Sequence, residues 1–396
     1  MARVLLAWEL GGGIGHLVRL LPVAAALVKR GHRVFAAVKD LLRAQAVLGQ
    51  ETVSYLQAPT RARPVANHIE RPLNFAHILH NIGFDDPGEL RVMSEAWRNL
   101  YALVEPDLVV FDHSPTALLA ARGLEIKRIV VGSGFFCPPD AHPLPNLRPW
   151  LTVDADRLRA DEERIFGRMN RLLAGWGQDP LERILQLYSQ VDETILTTFS
   201  ELDHYPQRRG ARYWGAWTRL AGKQPQWPDG QGKKVYAYLK QFPGLVPLLK
   251  LLKESGHPTI IYMSSVPGEL REALKSPTLR SETEPLNLDA VGRQCDLAIL
   301  NGGHGTTISM LMAGKPTMQI PIYLEQVILT NRVVEFGAGL GATNNRPEYF
   351  PGTFRKLLDW DRYSQAARQF ASRYADFDPE QQTNRIVDRM EEILRR

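Results

Sequence analysis

The chain has 396 residues, 44% of them hydrophobic and 23% charged, with a formal net charge of +5 and a pI near 9.1. This length and balance predict two soluble globular domains, each large enough to bury its own core, and exclude a disordered or fibrous chain. The Lys and Arg residues form no long basic run, which argues against nucleic acid as a partner and leaves room for an anionic ligand or the acidic face of a membrane. Cys137 and Cys295 lie far apart and outside any CxxC pattern, so neither a disulfide framework nor a structural zinc site is expected. No apolar run reaches about 18 residues, and no basic, cleavable leader precedes the first strand. The expectation is a cytoplasmic protein with no transmembrane segment.

In chain order, the first elements are a strand over Arg3–Trp8, a glycine loop Leu10–Gly15, a helix His16–Arg30, a turn at Gly31-His32 and a strand Arg33–Val38. That is a βαβ unit. Apolar strands at Val53–Ala58, Asp107–Asp112, Lys127–Ser133 and Glu193–Phe199, with helical patterns between them, extend it into a mostly parallel sheet covered on both faces. Residues 1–217 form this first domain. Residues 218–232, rich in Gly, Pro, Gln and Lys without hydrophobic periodicity, read as a linker. A second doubly wound domain over 233–375 has strands at Val235–Leu239, Thr259–Ser264, Leu297–Leu300 and Thr317–Pro321. From Asp361 onward two amphipathic helices follow; the last, within 376–396, is a candidate to cross back to the first domain. Two such halves facing one another bind ligands in a crevice outside the carboxyl ends of their strands.

The most informative stretch is Asn301-Gly302-Gly303-His304-Gly305-Thr306-Thr307, followed by Gly314-Lys-Pro316, Pro321, Glu325-Gln326 and Gly337-Ala-Gly339. It lies between the strand ending at Leu300 and a helix expected over Thr306–Ala313. Glycines there let the backbone approach a ligand, and N–H groups at a helix start attract a diphosphate. The first glycine loop, Gly11-Gly-Gly-Ile-Gly15, superficially matches the dinucleotide fingerprint. However, His16 stands where the third glycine belongs, and Lys39 precedes Asp40 where an acidic ribose contact would close the next strand, which argues against NAD or FAD.

These segments resemble family 1 glycosyltransferases of the GT-B fold, the UDP- or dTDP-sugar enzymes of macrolide-glycosyltransferase type. Their donor signature, His-Gly-Gly-x-Gly-Thr followed by Gly-x-Pro, Pro and Asp/Glu-Gln, is similar to the second-domain stretch. In the first domain Gly15-His16, Leu21-Pro22 and Gly31-His32-Arg33-Val34 are similar to the family's Gly-His and Gly-His-x-Val landmarks. The resemblance covers nearly the whole chain and implies two Rossmann-like domains, the first for an acceptor and the second for a nucleotide-diphosphate sugar. No cofactor or metal is expected, because helix-end donors can hold the diphosphate. Three Asp-x-Asp pairs, at Asp154/Asp156, Asp359/Asp361 and Asp376/Asp378, close no strand, and His77 and His80 read as packing or acceptor lining more than as a metal pair.

Glycosyl transfer requires a base for the acceptor hydroxyl, and an imidazole suits that task near neutral pH. His16, after the loop glycines Gly13 and Gly15, is the candidate, and the resemblance implies the same. Asp112, ending its strand, is the natural partner to hold the imidazole tautomer, although a helix cap is its alternative role. Asn301 to Thr307 are the expected diphosphate ligands, Glu325 and Gln326 the expected sugar ligands, and Lys240, Pro285, Leu286 and Ser309 further donor candidates. Three positions depart from the family pattern: Asn301 replaces a histidine, Ser309 replaces a ribose-binding glutamate as in users of deoxyribose donors, and Leu239-Lys240 replaces a Gly-Ser or Gly-Thr. The predicted activity is inverting transfer from a UDP- or dTDP-sugar to a small hydrophobic or lipid acceptor, suggested by the apolar segments Leu73–Tyr101 and Gly134–Trp150, with peripheral contact at the inner membrane face as an option. The alternatives are a nucleotide-sugar epimerase, a lipid-acceptor N-acetylglucosaminyltransferase of peptidoglycan type, or a GT-B partner protein without catalysis.

Overall fold

A computed structural model describes every residue except 50, 51, 62, 217–221, 267 and 271–273. The first sheet contains β1 (Arg3–Trp8), β2 (Arg33–Val38), β3 (Val53–Gln57), β4 (Leu108–Asp112), β5 (Lys127–Gly132) and β6 (Glu193–Leu196), all parallel, in the order β3-β2-β1-β4-β5-β6. Its central strands are almost continuously apolar because helices cover both faces; Val4 to Trp8 and Leu108 to Val110 have no exposed surface. The second sheet contains β7 (Val235–Tyr238), β8 (Thr259–Tyr262), β9 (Leu279–Glu282), β10 (Leu297–Leu300), β11 (Thr317–Gln319) and β12 (Gly339–Gly341), in the order β12-β11-β10-β7-β8-β9. Both sheets therefore have the same wiring. In each, the first and fourth strands lie side by side at the point where the strand order reverses, which is where ligands bind in open α/β sheets.

The chain divides into two compact units. One comprises Met1–Thr198, Tyr205–Gly215 and Asp378–Arg396, and the other Phe199–His204 and Ala216–Phe377. The strand expected to run to Phe199 stops at Leu196, because Phe199 packs with the second unit: its ring lies 4.2 Å from Tyr374, 5.3 Å from Phe370 and 5.4 Å from Phe377. Within the expected linker, residues 218–221 lie outside the described residues. The remainder is fastened rather than loose: Lys223 N–H donates to Pro285 O at 3.0 Å, and Trp227 Nε1 donates to Gln294 at 2.8 Å.

Helix Pro379–Leu394 belongs to the first unit and buries Ile386, Val387, Met390 and Ile393. Arg30, at the end of helix Gly15–Lys29, donates to its Asp388 at 2.6 Å and Glu391 at 3.1 Å, and Arg389 donates back to Glu193 at 2.6 Å. No helix among the described residues is long and apolar enough to cross a membrane.

Candidate functional site

Register places Trp8 of β1 opposite Asp112 of β4, so both strands end at the same point of the sheet edge. After Trp8 the chain turns through Gly11 and enters helix Gly15–Lys29, whose first turn carries His16. His16 Nδ1 lies 2.9 Å from Asp112 Oδ1; Asp112 has no exposed surface and His16 only 6%. An ionised carboxylate can only accept, so Nδ1–H donates to it, which selects the tautomer with the basic lone pair on Nε2. The imidazole is walled by Trp8, stacked at 5.6 Å between centroids, and by Phe136 at 4.9 Å.

Gly11 makes this position possible. It has φ +90°, and a Cβ there would stand 2.3 Å from His16 Nε2, so the ring occupies the space that any side chain would need. Gly13 and Gly15, the loop glycines singled out from the sequence, differ in having room: the nearest atom to an added Cβ is 3.8 Å away at Gly13, and there is none within 4 Å at Gly15.

The helix-cap alternative for Asp112 is filled by another residue. Glu9 accepts from the N–H groups of Thr116 and Ala117 at 3.1 and 3.2 Å, while Ser114 Oγ donates to Ala7 O. Burial pushes the Glu9 carboxyl up to about 7 against the lowering effect of those bonds. For Asp112, burial acts in the same upward direction, but the charges of Arg19 and His16 outweigh it and hold the carboxyl below its ordinary value.

Arg19 and His113 are further members that sequence reasoning missed. Arg19 Nη1 donates to both Asp112 oxygens, at 2.9 and 3.0 Å. His113, directly after Asp112, adopts a left-handed backbone with φ +49°, and its ring lies 6.0 Å from His16 and 4.4 Å from Phe136. Burial lowers its pKa to about 3, so it is neutral at physiological pH. The spacing of Arg19 from His16, three residues along one helix, was a readable signal. Nothing in the sequence pointed to His113.

In the second unit, β7 and β10 pair Tyr238 with Leu300, and the corresponding edge carries the glycine turn. The helix after it spans His304–Met312, two residues earlier than expected, because Thr307 N–H already donates to Gly303 O at 3.0 Å. His304, Gly305 and Thr306 thus form the first turn, whose N–H groups precede the helix's own bonding. Gly302 has φ +75°, and an added Cβ would meet Gln326 Cβ at 3.0 Å. The ring of His304 lies 6.1 Å from that of His204, another residue the sequence did not single out.

Several expected donor ligands have other partners. Asn301 Oδ1 accepts from Lys240 N–H at 2.6 Å, and its Nδ2 donates to Ile320 O at 2.9 Å. It therefore braces the ends of β7, β10 and β11 with Oδ1 and one of the two Nδ2 hydrogens. Asn301→Ala is expected to destabilise the protein by about 2 kcal/mol or more, since each stranded backbone group costs about 1–3 kcal/mol; urea denaturation measures this.

Thr307 is fully buried and accepts from Gln319 Nε2 at 3.3 Å, which places its side chain in the core. Ser309 Oγ donates to Gly305 O at 3.1 Å, and Leu286 is buried beside Tyr236 and Val291. Pro285 presents its carbonyl to Lys223. Gln326 Oε1 accepts from Ile322 and Tyr323 N–H at 2.8 and 3.2 Å, and Glu325 is half-buried one residue before it. Lys240 is exposed, with Nζ 5.8 Å from the Tyr323 ring centroid.

The two histidines read from the sequence as packing or acceptor lining, and two of the Asp-x-Asp residues, have structural partners. His77 accepts from Leu73 N–H at Nδ1 and pairs through Nε2 with Asp161 at 3.0 Å, while His80 Nε2 bonds Asn67 O at 2.9 Å. Asp154 and Asp378 cap helices. Phe75, Trp97 and Tyr101 are core residues, so the apolar content of Leu73–Tyr101 is packing more than acceptor lining; Trp150 is 46% exposed.

No family model matches the chain. The chain is 25% identical over 307 residues to the PGL/p-HBAD biosynthesis rhamnosyltransferases of Mycobacterium bovis (strain BCG / Pasteur 1173P2) and Mycobacterium tuberculosis (strain ATCC 25177 / H37Ra). The match covers 72% of this chain and 66% of those relatives, just under two thirds of their length. Among solved structures, the calicheamicin glycosyltransferase CalG4 superposes with a TM-score of 0.76 at 16% identity, covering 100% of this chain and 98% of its own. The glycosyltransferase VinC, solved in complex with dTDP, superposes with a TM-score of 0.70 at 17% identity, with 100% of both chains covered. Two parallel sheets of identical wiring, matched over their full length by these glycosyltransferase structures, give the chain the two-domain α/β architecture of the GT-B fold.

Proposed function

We propose that the chain is an inverting glycosyltransferase that moves a sugar from a dTDP-type nucleotide donor to an acceptor hydroxyl. The observation that carries this reading is the His16–Asp112 pair, with Nδ1 held at 2.9 Å by a buried carboxylate and Nε2 left to act as base. The acceptor oxygen attacks the anomeric carbon as the bond from that carbon to the diphosphate breaks. The acceptor proton passes to His16 Nε2, Asp112 stabilises the imidazolium, and the nucleoside diphosphate leaves. His304, Gly305 and Thr306 supply donors to the departing diphosphate, a preorganised electrostatic role, and Glu325 with the amide nitrogen of Gln326 supply contacts to the sugar.

Preference for dTDP is supported by the Ser309 hydroxyl, which is turned back to Gly305 O and provides no carboxylate for a ribose diol. It also agrees with the dTDP complex of VinC, and the rhamnosyltransferase relatives make a deoxyhexose the first sugar to try. The test is thermal stabilisation by dTDP, UDP, GDP and CDP in wild type and His304→Ala. A ligand at about 100 times its Kd adds roughly 2.7 kcal/mol of stability. Selective stabilisation by dTDP, weakened in His304→Ala, is expected. No response to any nucleotide would replace this reading with a GT-B partner protein that lacks catalysis.

A further inference from the structure

Asp112 has two partners, and the proposed mechanism uses only one of them. Arg19 lies three residues after His16 on helix Gly15–Lys29, so both side chains leave the same helix face. A single nitrogen, Nη1, reaches both Asp112 oxygens at 2.9 and 3.0 Å, while His16 Nδ1 holds Oδ1. The guanidinium is mostly buried, with side-chain exposure of 12%, and lies 5.7 Å from the centre of the Phe136 ring that also walls His16.

We propose that Arg19 is a positioning residue of this constellation, clamping the Asp112 carboxylate and keeping the His16–Asp112 pair from taking up a proton near neutral pH. A buried carboxylate beside an imidazole readily gains one proton, held as imidazolium or as carboxylic acid, and both forms carry the same extra charge. A guanidinium cannot release its own proton, so its fixed positive charge opposes the added proton at either location. That charge favours the carboxylate with a neutral imidazole, the form that offers the Nε2 lone pair. The clamp also stops the carboxylate from turning away from Nδ1. Among the described residues, the other groups around His16 do not substitute for it. Trp8 and Phe136 carry no charge, His113 is neutral, and Lys39 acts on Glu9 and His113.

The functional meaning of this clamp rests on His16 being the base, but its test needs neither donor nor acceptor. The His16 imidazole resonances, assigned by their loss in His16→Ala, are followed against pH by NMR in wild type, Arg19→Gln and Arg19→Lys. Direct observation of the ring is needed because Glu9 titrates near pH 7 and would confuse a rate profile.

In Arg19→Gln the His16 midpoint is expected to rise by about one pH unit, the usual effect of removing a like charge at this range. Arg19→Lys keeps the charge but loses the two-oxygen contact, so its midpoint should fall between the other two. An unmoved or lowered midpoint would overturn the proposal and leave Arg19 a packing residue. Should Arg19→Gln not fold, the neutral Arg19→Met takes its place, with the same rise expected and an unmoved or lowered midpoint overturning the proposal. Nucleotide stabilisation tests the glycosyltransferase reading separately.

Discussion

His16→Ala is expected to lower turnover by about 10²- to 10⁴-fold, the usual contribution of a positioned general base, with dTDP stabilisation unchanged. The reason is local to the first unit. Nδ1 is committed to a carboxylate with no exposed surface, and Nε2 is the nitrogen left to accept a proton. Turnover can be followed with any hydroxyl acceptor that supports it, or as slow hydrolysis of a dTDP-sugar. Because the turn at His304 proposed to hold the diphosphate belongs to the other unit, nucleotide binding should survive the change. Equal loss of nucleotide binding would mean that His16 serves the donor, and the base would have to be sought elsewhere.

Gly11→Ala should be nearly as damaging, without touching any charged group. Its Cβ would sit 2.3 Å from His16 Nε2 on a backbone with φ +90°. A left-handed alanine costs about 1–3 kcal/mol by itself, and the contact forces the imidazole to rotate away from Asp112 or the loop to shift. Misplacement of a base by about 1 Å costs on the order of 10²-fold. Gly13→Ala and Gly15→Ala make sharp controls, because both positions have space for the added carbon; their activity should stay close to wild type. Assaying the three variants side by side, with a melting curve for each, separates a displaced base from a weakened fold. Near-normal activity in Gly11→Ala would show that the catalytic geometry differs from this one.

Strands with a strong apolar pattern were legible almost to the residue, as at Arg3–Trp8, Arg33–Val38 and Leu297–Leu300. The strands missed were the two sheet edges of the second unit. Leu279–Glu282 carries one apolar side chain, and Gly339–Gly341 has glycine at either end; both are held by backbone pairing to a neighbour and so leave little hydrophobic signal. At the candidate site, glycine turns and strand ends pointed to His16 and Asp112, which the fold brings together, and to the glycine turn before helix His304–Met312. The sequence could not show that Glu9 caps the helix in place of Asp112, that Gly11 is the constrained glycine, or that Asn301 spends both ends of its amide on neighbouring strands. Those are decided by side-chain direction and three-dimensional neighbours.

Helix Pro379–Leu394 has a consequence for biosynthesis. Its apolar face completes the first unit, whose other residues leave the ribosome well before it. At about 5–20 residues per second, the intervening stretch takes on the order of ten seconds to synthesise. During that interval the nascent first unit lacks a wall of its core where Ile386, Val387, Met390 and Ile393 will pack. The second unit can finish folding before the first does, which reverses the usual order of maturation and makes the waiting surface a natural client for a chaperone.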